Sequence, residues 1–303
     1  MDIVPALGNS RMVEVSGGAV RVYERGEGTP IVFVHGLLAN AAVWRKVVPT
    51  LSETHRCITA DFPFGAHSSP MNPDADLTPT GLATVIAEVI ERLDLRDVTI
   101  VGNDGGGMLT QLVVTRHPER IARVVLTPCD AYENFPPPMF DYLCWLARIP
   151  VSFELLALSL RIPRLRRLVG RSLIGYGGLT HSRIDDELLD HYFTPILGHD
   201  VRRDVVKFLR SVDKKYTLDA AQLFPGVEQP LLVVWASEDR FFPLEHGERL
   251  ARDFPDARLS VIDGSRTWVS EDRPAELVSL ISEFIAEGDG HHVQPAATLD
   301  GSS

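Results

Sequence analysis

Short apolar segments recur along this chain and alternate with longer segments of helical spacing. Near the start, residues 12–15 and 19–23 alternate between apolar and polar side chains around Ser16-Gly17-Gly18, which predicts an antiparallel hairpin. The following apolar runs predict buried strands at residues 30–34, 56–60, 97–101, 121–126, 231–235 and 259–262. The intervening spacing predicts helices at residues 41–51, 79–93, 108–117, 244–254 and 274–285. This alternation predicts an α/β fold with an eight-stranded, mostly parallel sheet and helices on both faces.

The alternation is interrupted once. Residues 134–218 show helical patterns and no strand pattern, so we expect a helical cap inserted after the sixth strand. Residues 1–133 and 219–286 then form the two parts of the core domain, and the polar residues 287–303 are expected to be a disordered tail. Within the cap, Trp145 and the leucine-rich stretch 155–160 are expected to form core and pocket wall.

The segment around Asp104 is the clearest candidate for chemistry. Asp104 follows a strand pattern, precedes a helix pattern and has glycines at positions 102, 105, 106 and 107. Small residues at these positions permit the sharp strand-to-helix turn of a nucleophile elbow. A phosphate-binding loop is a weaker interpretation, because the spacing is not G-x-G-x-x-G and a carboxylate would repel phosphate. A purely structural helix-capping role for Asp104 also remains open.

Composition narrows the class of protein. The net charge of −11 and the 45% hydrophobic content suit a globular protein, and they predict that nucleic acid and anionic membrane are poor partners. Three widely spaced cysteines suggest a reduced protein without a disulfide framework, and the first residues lack a signal-peptide pattern. We therefore expect a cytoplasmic protein with a small-molecule substrate or ligand.

With these patterns in place, residues 12–285 resemble the α/β-hydrolase fold superfamily, in particular its aspartate-nucleophile branch of haloalkane dehalogenases and epoxide hydrolases. His35-Gly36 resembles the oxyanion loop, and the segment containing Asp239 is similar to the one that carries the acid of the triad. The resemblance implies that Asp104 is the nucleophile and that the backbone N–H groups of Leu37 and Gly105 are oxyanion donors. It also implies that His35 orders the oxyanion loop.

The chain departs from these families at the position of the base. Counting back from Pro274, Thr267 stands where the catalytic histidine is expected, and a hydroxyl cannot act as a general base near neutral pH. Five histidines are considered as substitutes: His67, His181, His191, His199 and His246. Asp130 is a second candidate for the acid, and Cys129 beside it is expected to be buried.

Substrate-binding features of the individual families are incomplete. Gly105 follows Asp104 where haloalkane dehalogenases have tryptophan, and Leu37 replaces their asparagine. Tyr142, Tyr176 and Tyr192 could supply the cap tyrosines of epoxide hydrolases. No cofactor and no metal ion are expected, although a metal site would be conceivable if Asp104, Asp130 and Asp239 converged.

The sequence thus predicts a hydrolase with an incomplete triad, acting on a small, largely apolar ester, epoxide or haloalkane through Asp104. Two alternatives stay open: a non-hydrolytic, ligand-binding member of the fold, and a lyase or isomerase in which Asp104 is the base.

Overall fold

The computed structural model describes residues 3–291 and contains one eight-stranded sheet. The strands are β1 (Asn9–Val15), β2 (Gly18–Arg25), β3 (Pro30–Val34), β4 (Arg56–Ala60), β5 (Val98–Asp104), β6 (Ile121–Cys129), β7 (Leu231–Ala236) and β8 (Ala257–Ile262). They lie in the order β1-β2-β4-β3-β5-β6-β7-β8. β2 pairs antiparallel with β1 and β4, whereas the other neighbours are parallel. The predicted mostly parallel sheet is therefore confirmed.

The burial of the strands follows their place in the sheet. Every residue of β7 is buried, and β6 is buried at all but one position, as expected for central strands covered on both faces. β8, at the edge, is only partly buried over most of its length. The sites of interest lie where β5, β6 and β7 end, because the carboxyl ends of parallel strands meet at one edge of the sheet.

Thirteen α-helices occur within residues 3–291. They are α1 (Ile3–Leu7), α2 (Val48–Leu51), α3 (Pro79–Arg92), α4 (Gly105–Arg116), α5 (Asp141–Arg148), α6 (Ser152–Leu160), α7 (Pro163–Gly170), α8 (Asp186–Phe193), α9 (His199–Ser211), α10 (Lys215–Leu223), α11 (Leu244–Asp253), α12 (Val269–Asp272) and α13 (Pro274–His291). No single one of them is long and apolar enough to span a membrane.

The prediction of a single helix at residues 41–51 was wrong. The structure has a 3-10 turn at Ala41–Trp44, begun by the Asn40 side chain accepting from Ala42, and then the separate short helix α2. Pro49 lies near the start of α2, where its missing N–H costs nothing, whereas it would interrupt one continuous helix.

Between β6 and β7 the described chain has helices and short turns, with only an isolated bridge between Ala131 and Asn134. The helix α10 crosses residue 218, where we had placed the end of the insertion, and it packs against α4. At the other end of the chain α13 continues to His291, past residue 287, where a disordered tail was expected to begin. Residues 292–303 of that expected tail lie outside the described residues.

Candidate active site at the end of strand β5

Asp104 occupies a sharp turn between β5 and α4. Its backbone has φ +56° and ψ −132°, a conformation that non-glycine residues rarely adopt. The turn places the Asp104 carboxyl at the start of α4, where it accepts a hydrogen bond from the Gly105 N–H. A strained residue held this way is typical of a nucleophile elbow.

The glycines around Asp104 allow this turn by removing side-chain volume. A Cβ on Gly106 would lie 2.2 Å from the His35 carbonyl oxygen, and one on Gly107 would lie 2.2 Å from the Cys129 Cβ. A Cβ on Gly102 would lie 2.4 Å from the Thr110 hydroxyl oxygen. Because glycine has no Cβ at these positions, α4 can pack close to the neighbouring strands, as the elbow requires.

The Asp104 carboxyl is itself held by the backbone groups expected to be oxyanion donors. Its Oδ1 accepts a 2.5 Å hydrogen bond from the Gly105 N–H, and the Leu37 N–H also stabilises the charged form. Burial and the nearby negative charge of Asp239 instead favour the protonated form of Asp104. Burial is the larger effect, and together they raise the pKa of Asp104 to about 7. The group therefore changes charge near neutral pH.

A second carboxyl lies beside the elbow. Asp130 follows β6, its backbone N–H donates to the Asp104 carbonyl oxygen at 3.4 Å, and both residues line the same cavity. Its Oδ1 is buried and accepts no hydrogen bond from the described residues. Burial, and then the charge of Asp104, raise the pKa of Asp130 well above its ordinary value. A raised pKa favours the protonated form of Asp130 beside an ionised Asp104.

Asp239 and Thr267 approach each other behind the cavity wall. Asp239 Oδ1 accepts from the backbone N–H groups of Phe241 and Phe242 at 2.8 and 2.9 Å. Burial raises the pKa of Asp239, while these N–H groups and the nearby Thr267 hydroxyl lower it. Asp239 Oδ2 and Thr267 Oγ1 are nevertheless both buried without a well-aligned hydrogen-bond partner in residues 3–291. Neither residue lines the cavity that contains Asp104.

Asn103, which the sequence analysis did not single out, joins the elbow to the segment containing Thr267. Its buried Nδ2 donates to the Thr267 carbonyl oxygen at 2.7 Å, and also to Thr127 and Pro128 on the end of β6. Asp272 fixes the same segment from the other side, because its carboxyl accepts from the Arg266 N–H and from the Thr180 hydroxyl. The only sequence signal for Asn103 was its place beside Asp104.

The cavity over Asp104 has a volume of about 320 Å³. Apart from the carboxyls of Asp104 and Asp130, its lining is almost entirely apolar and comes largely from the segment between β6 and β7, including Phe135, Leu143, Leu156 and Leu160. A site of this size and character suits a small, largely apolar molecule. In the described part of the chain, no three His, Cys, Asp or Glu side chains are arranged to hold a metal ion.

None of the five histidines considered as substitute bases lines this cavity. His67 is buried against Asp204 and His181 pairs with Glu238, at 3.3 and 3.0 Å respectively. His246 packs near Tyr132, and His199 is exposed beside Asp200. His191 lies on α8, where burial lowers its pKa. Within residues 3–291, the structure therefore places none of these five histidines in the cavity beside Asp104.

His35 is committed to the loop that follows β3. Its Nε2 accepts from the Phe62 N–H at 2.9 Å, Nδ1 lies 2.8 Å from the Gly36 carbonyl oxygen, and the ring stacks on Phe64. Burial lowers the pKa of His35 to about 4. A neutral ring with both nitrogens in use can order the loop carrying Leu37, and it is not placed to transfer protons at Asp104.

The three tyrosines differ in their surroundings. Tyr142 and Tyr176 line the cavity, but their hydroxyls donate to the carbonyl oxygens of Ile174 and Leu38 at 2.7 and 2.6 Å. Tyr192 has a buried hydroxyl without a partner in the described residues, and it does not line the cavity.

The predicted burial of three other side chains was wrong. Trp145, Leu155 and Leu158 were expected in the core or pocket wall, but they are about 60% exposed. Cys129 is buried, as predicted.

This arrangement of sheet, elbow and cavity agrees with comparison to known proteins. The family model described as alpha/beta hydrolase fold matches residues 29–274, so the chain belongs to the α/β-hydrolase fold family.

Among individual proteins, the chain is 28% identical to an uncharacterized hydrolase of Bacillus subtilis, covering 85% of this chain and 88% of that protein. It is 23% identical to a cis-3-alkyl-4-alkyloxetan-2-one decarboxylase of Shewanella oneidensis, covering 94% and 91%. An epoxide hydrolase structure superposes with a TM-score of 0.76 at 17% identity, covering 92% and 99% of the two chains. At that identity the structural match shows the fold alone.

Proposed function

We propose that this protein is an enzyme in which the Asp104 carboxylate attacks a carbon atom of a small, largely apolar substrate. The observation that carries the proposal is the setting of Asp104: a carboxyl at an elbow, held by the Gly105 N–H, facing an apolar cavity. Backbone donors fix one oxygen and orient the group, and the apolar wall leaves the nucleophile poorly hydrated. The helices between β6 and β7 serve as the cap that closes this site.

The first step forms a covalent ester. The Asp104 oxygen forms a bond to the substrate carbon as the bond from that carbon to its leaving atom breaks, and the leaving atom takes the electron pair. With a haloalkane the leaving atom departs as halide. With an epoxide it is the ring oxygen, which an acid can protonate, and with an alkyl ester attacked at its alkyl carbon it departs as part of a carboxylate. Asp130 lines the same cavity, and its raised pKa favours the protonated form that the role of acid requires.

The second step decides between hydrolysis and other chemistry. Hydrolysis of the ester needs a water molecule that is deprotonated by a base. A positioned base accelerates such a step by roughly 10²- to 10⁴-fold. The absence of histidine from the cavity lining within residues 3–291 predicts that the ester accumulates or breaks down by another route.

Incubation with a short alkyl halide or epoxide, followed by peptide mass spectrometry, tests the first step. We expect an adduct on the peptide that contains Asp104, and none in Asp104→Asn. Lack of both adduct and turnover across alkyl halides, epoxides and alkyl esters would contradict the proposal. It would leave the ligand-binding alternative, in which the pocket retains a molecule without reacting.

A lyase is the second candidate, favoured by the same lack of histidine and by the similarity to the oxetan-2-one decarboxylase. In such a four-membered lactone, Asp104 would attack the saturated ring carbon that is bonded to the ring oxygen, and not the carbonyl carbon. That carbon–oxygen bond breaks, which leaves an ester to Asp104 and a free substrate carboxylate. Loss of carbon dioxide then supplies the electron pair of a new carbon–carbon double bond and expels the Asp104 carboxylate. The cycle consumes no water and requires no base.

Products distinguish the two candidates. A cis-3,4-dialkyl oxetan-2-one is incubated with the protein in ¹⁸O-water, and the products are analysed without heating, by NMR and by liquid chromatography with mass spectrometry. Alkene and carbon dioxide indicate the lyase, whereas a hydroxy acid that carries ¹⁸O indicates hydrolysis. If the lactone is unchanged but an alkyl halide forms an adduct on Asp104, the lactone is not a substrate, and the proposal that Asp104 is the nucleophile still holds.

A further inference from the structure

The helices α5, α6 and α7 expose an unusual amount of apolar surface on the side away from the sheet. Six side chains there are 51 to 69% exposed, and together we call them the outer apolar patch. They are Trp145, Val151, Leu155, Leu158, Ile162 and Leu168. Scattered exposed apolar residues are normal in globular proteins, but six of them between residues 145 and 168, on helices that pack against one another, are typical of a binding surface.

The helix α6 shows why this surface needs a partner. Leu156 and Leu160 line the cavity, whereas Leu155 and Leu158 point to solvent. A helix that is apolar on both faces is normally covered on both faces. The inner face of α6 is covered by the cavity wall, and its outer face has no cover among the described residues.

Charge separates this segment from the rest of the chain. Residues 138–175 contain six arginines and two acidic residues in a chain whose net charge is −11, and three of the arginines, Arg166, Arg167 and Arg171, pair with Asp186 and Asp190 of α8. Arg148, Arg161 and Arg164 are exposed and form no ion pair within residues 3–291. Our expectation that anionic membrane is a poor partner rested on the total charge, whereas this segment exposes three arginines without an acidic partner in residues 3–291.

A second copy of this chain is a poorer partner for the patch. In a two-fold symmetric dimer the same surface meets itself, so the unpaired arginines of one copy would face those of the other. An anionic lipid surface is complementary to both features. Leucine and tryptophan side chains enter the boundary between headgroups and acyl chains, and arginine side chains extend to the phosphates.

The geometry of α5 and α6 suits a position on the membrane surface. The segments Pro138–Arg148 and Ser152–Leu160 are both rich in apolar residues, but they meet at a bend of 111° and so form no straight span. Their inner faces also line the cavity. Ile174, half exposed, lines the cavity as well, so the cavity reaches the surface in the same segment of the chain that carries the patch.

We propose that the outer apolar patch docks this protein on the surface of anionic phospholipid membranes, with Arg148, Arg161 and Arg164 at the headgroups. Docking would place the cavity opening next to the bilayer, where small apolar molecules concentrate. That last consequence rests on the proposed function, whereas the docking itself does not depend on Asp104.

Vesicle sedimentation of the full chain tests the proposal. The probes are phosphatidylcholine vesicles and vesicles of phosphatidylcholine with phosphatidylglycerol, compared at low and high salt. We expect binding to the anionic vesicles that weakens with salt. Each arginine at such a surface contributes about fivefold to affinity, so Arg161→Gln/Arg164→Gln should bind about 25-fold more weakly. Leu155→Ser/Leu158→Ser should also lose most of its binding, because its apolar anchors are gone.

Three controls keep the outcomes distinct. Val261→Ser removes a side chain of 43% exposure on β8, outside the patch, and should bind like the original chain. Asp104→Asn should also bind normally, which separates docking from the chemistry proposed above. Circular dichroism verifies that each variant is folded. Equal binding by the patch variants and Val261→Ser would overturn the proposal. So would a dimer in sedimentation velocity that the leucine variant dissociates, since the patch would then belong to a second copy.

Discussion

Asn103 donates a 2.7 Å hydrogen bond from Nδ2 to the carbonyl oxygen of Thr267. This bond joins the residue that precedes Asp104 to the residue at the expected position of the catalytic histidine. The Thr267 side chain is completely buried, and its hydroxyl lies close enough to Asp239 to lower the pKa of that carboxyl. The hydrogen bond holds the backbone of this segment to the elbow. The side chain at position 267 can therefore be substituted without removing that bond.

We expect Thr267→His to accelerate hydrolysis of the ester on Asp104 by roughly 10²-fold or more. Asp239 Oδ2 is buried without a well-aligned partner, so it can accept a hydrogen bond from an imidazole N–H. The measurement is the decay of the adduct, followed by mass spectrometry after removal of excess alkylating agent. Thr267→Val is the matched control and should leave the decay unchanged. An adduct equally long-lived in folded Thr267→His would show that the missing imidazole is not what limits hydrolysis.

Ester formation should depend on pH because only the carboxylate form of Asp104 is a nucleophile. Burial raises the pKa of Asp104 to about 7, so the rate of adduct formation should rise between about pH 6 and pH 8. The rate is measured with a neutral alkyl halide, which has no ionisation of its own in this range. A rate that is already constant above pH 5 would mean that the carboxyl titrates as an ordinary exposed aspartate.

The same shift has a consequence for stability. A carboxyl whose pKa is higher in the folded chain than in the unfolded chain binds its proton more tightly when folded. The free energy of unfolding should therefore decrease as the pH rises from about 4 to about 7. Asp104→Asn removes this contribution, so the variant should be more stable than the original chain at pH 8, by up to about 4 kcal/mol, and similar to it at pH 4.

Urea unfolding at a series of pH values measures that difference. Asp141→Asn, which changes an exposed carboxyl on α5, is the control and should follow the original chain at every pH. If Asp104→Asn and the original chain keep a constant difference from pH 4 to pH 8, the pKa of Asp104 is not raised by folding.

Much of the fold was predictable because strand and helix patterns are local. β3, β4, β6 and β7 were each predicted with a starting residue that matches the structure, since buried parallel strands are continuous apolar runs. The elbow was predictable for a related reason: glycines around Asp104 leave a direct trace in the sequence. The surroundings of Trp145 and Leu155 were not, because an apolar side chain on a helix looks the same in sequence whether its face meets protein or solvent.

Contacts between distant segments were the other part that sequence did not reveal. The approach of Asp130 to Asp104 depends on how β5 and β6 pair, and the bond from Asn103 to Thr267 joins residues 164 positions apart. Spacing along the chain carries no information about either. The family resemblance indicated which positions to compare, and only the fold shows that no candidate histidine lines the cavity.

Asp130 and Asp104 should titrate as a pair, with Asp104 losing its proton first. With Asp130 still protonated while Asp104 ionises, Asp130→Asn should leave the pKa of Asp104 nearly unchanged. Asp104→Asn should lower the pKa of Asp130, because it removes the nearby negative charge that helps to raise it. Carbon-13 NMR of labelled aspartate carboxyls measures both values. A marked fall of the Asp104 pKa in Asp130→Asn would reverse the assignment, since it would show that Asp130 is charged first.

Adjacent glycines at the start of α4 offer a matched test of the close packing at the elbow. A Cβ on Gly106 would lie 2.2 Å from the His35 carbonyl oxygen and 2.4 Å from the Val34 carbonyl oxygen, and these backbone atoms cannot move aside. On Gly105 the nearest atom, the Leu37 backbone nitrogen, would be 3.4 Å away, an ordinary contact. We therefore expect Gly106→Ala to lower the free energy of unfolding by about 3 kcal/mol or more, and Gly105→Ala to change it by less than about 1 kcal/mol. Urea unfolding measures both, and equal effects would show that α4 can shift away from β3, which would remove the packing argument for the elbow.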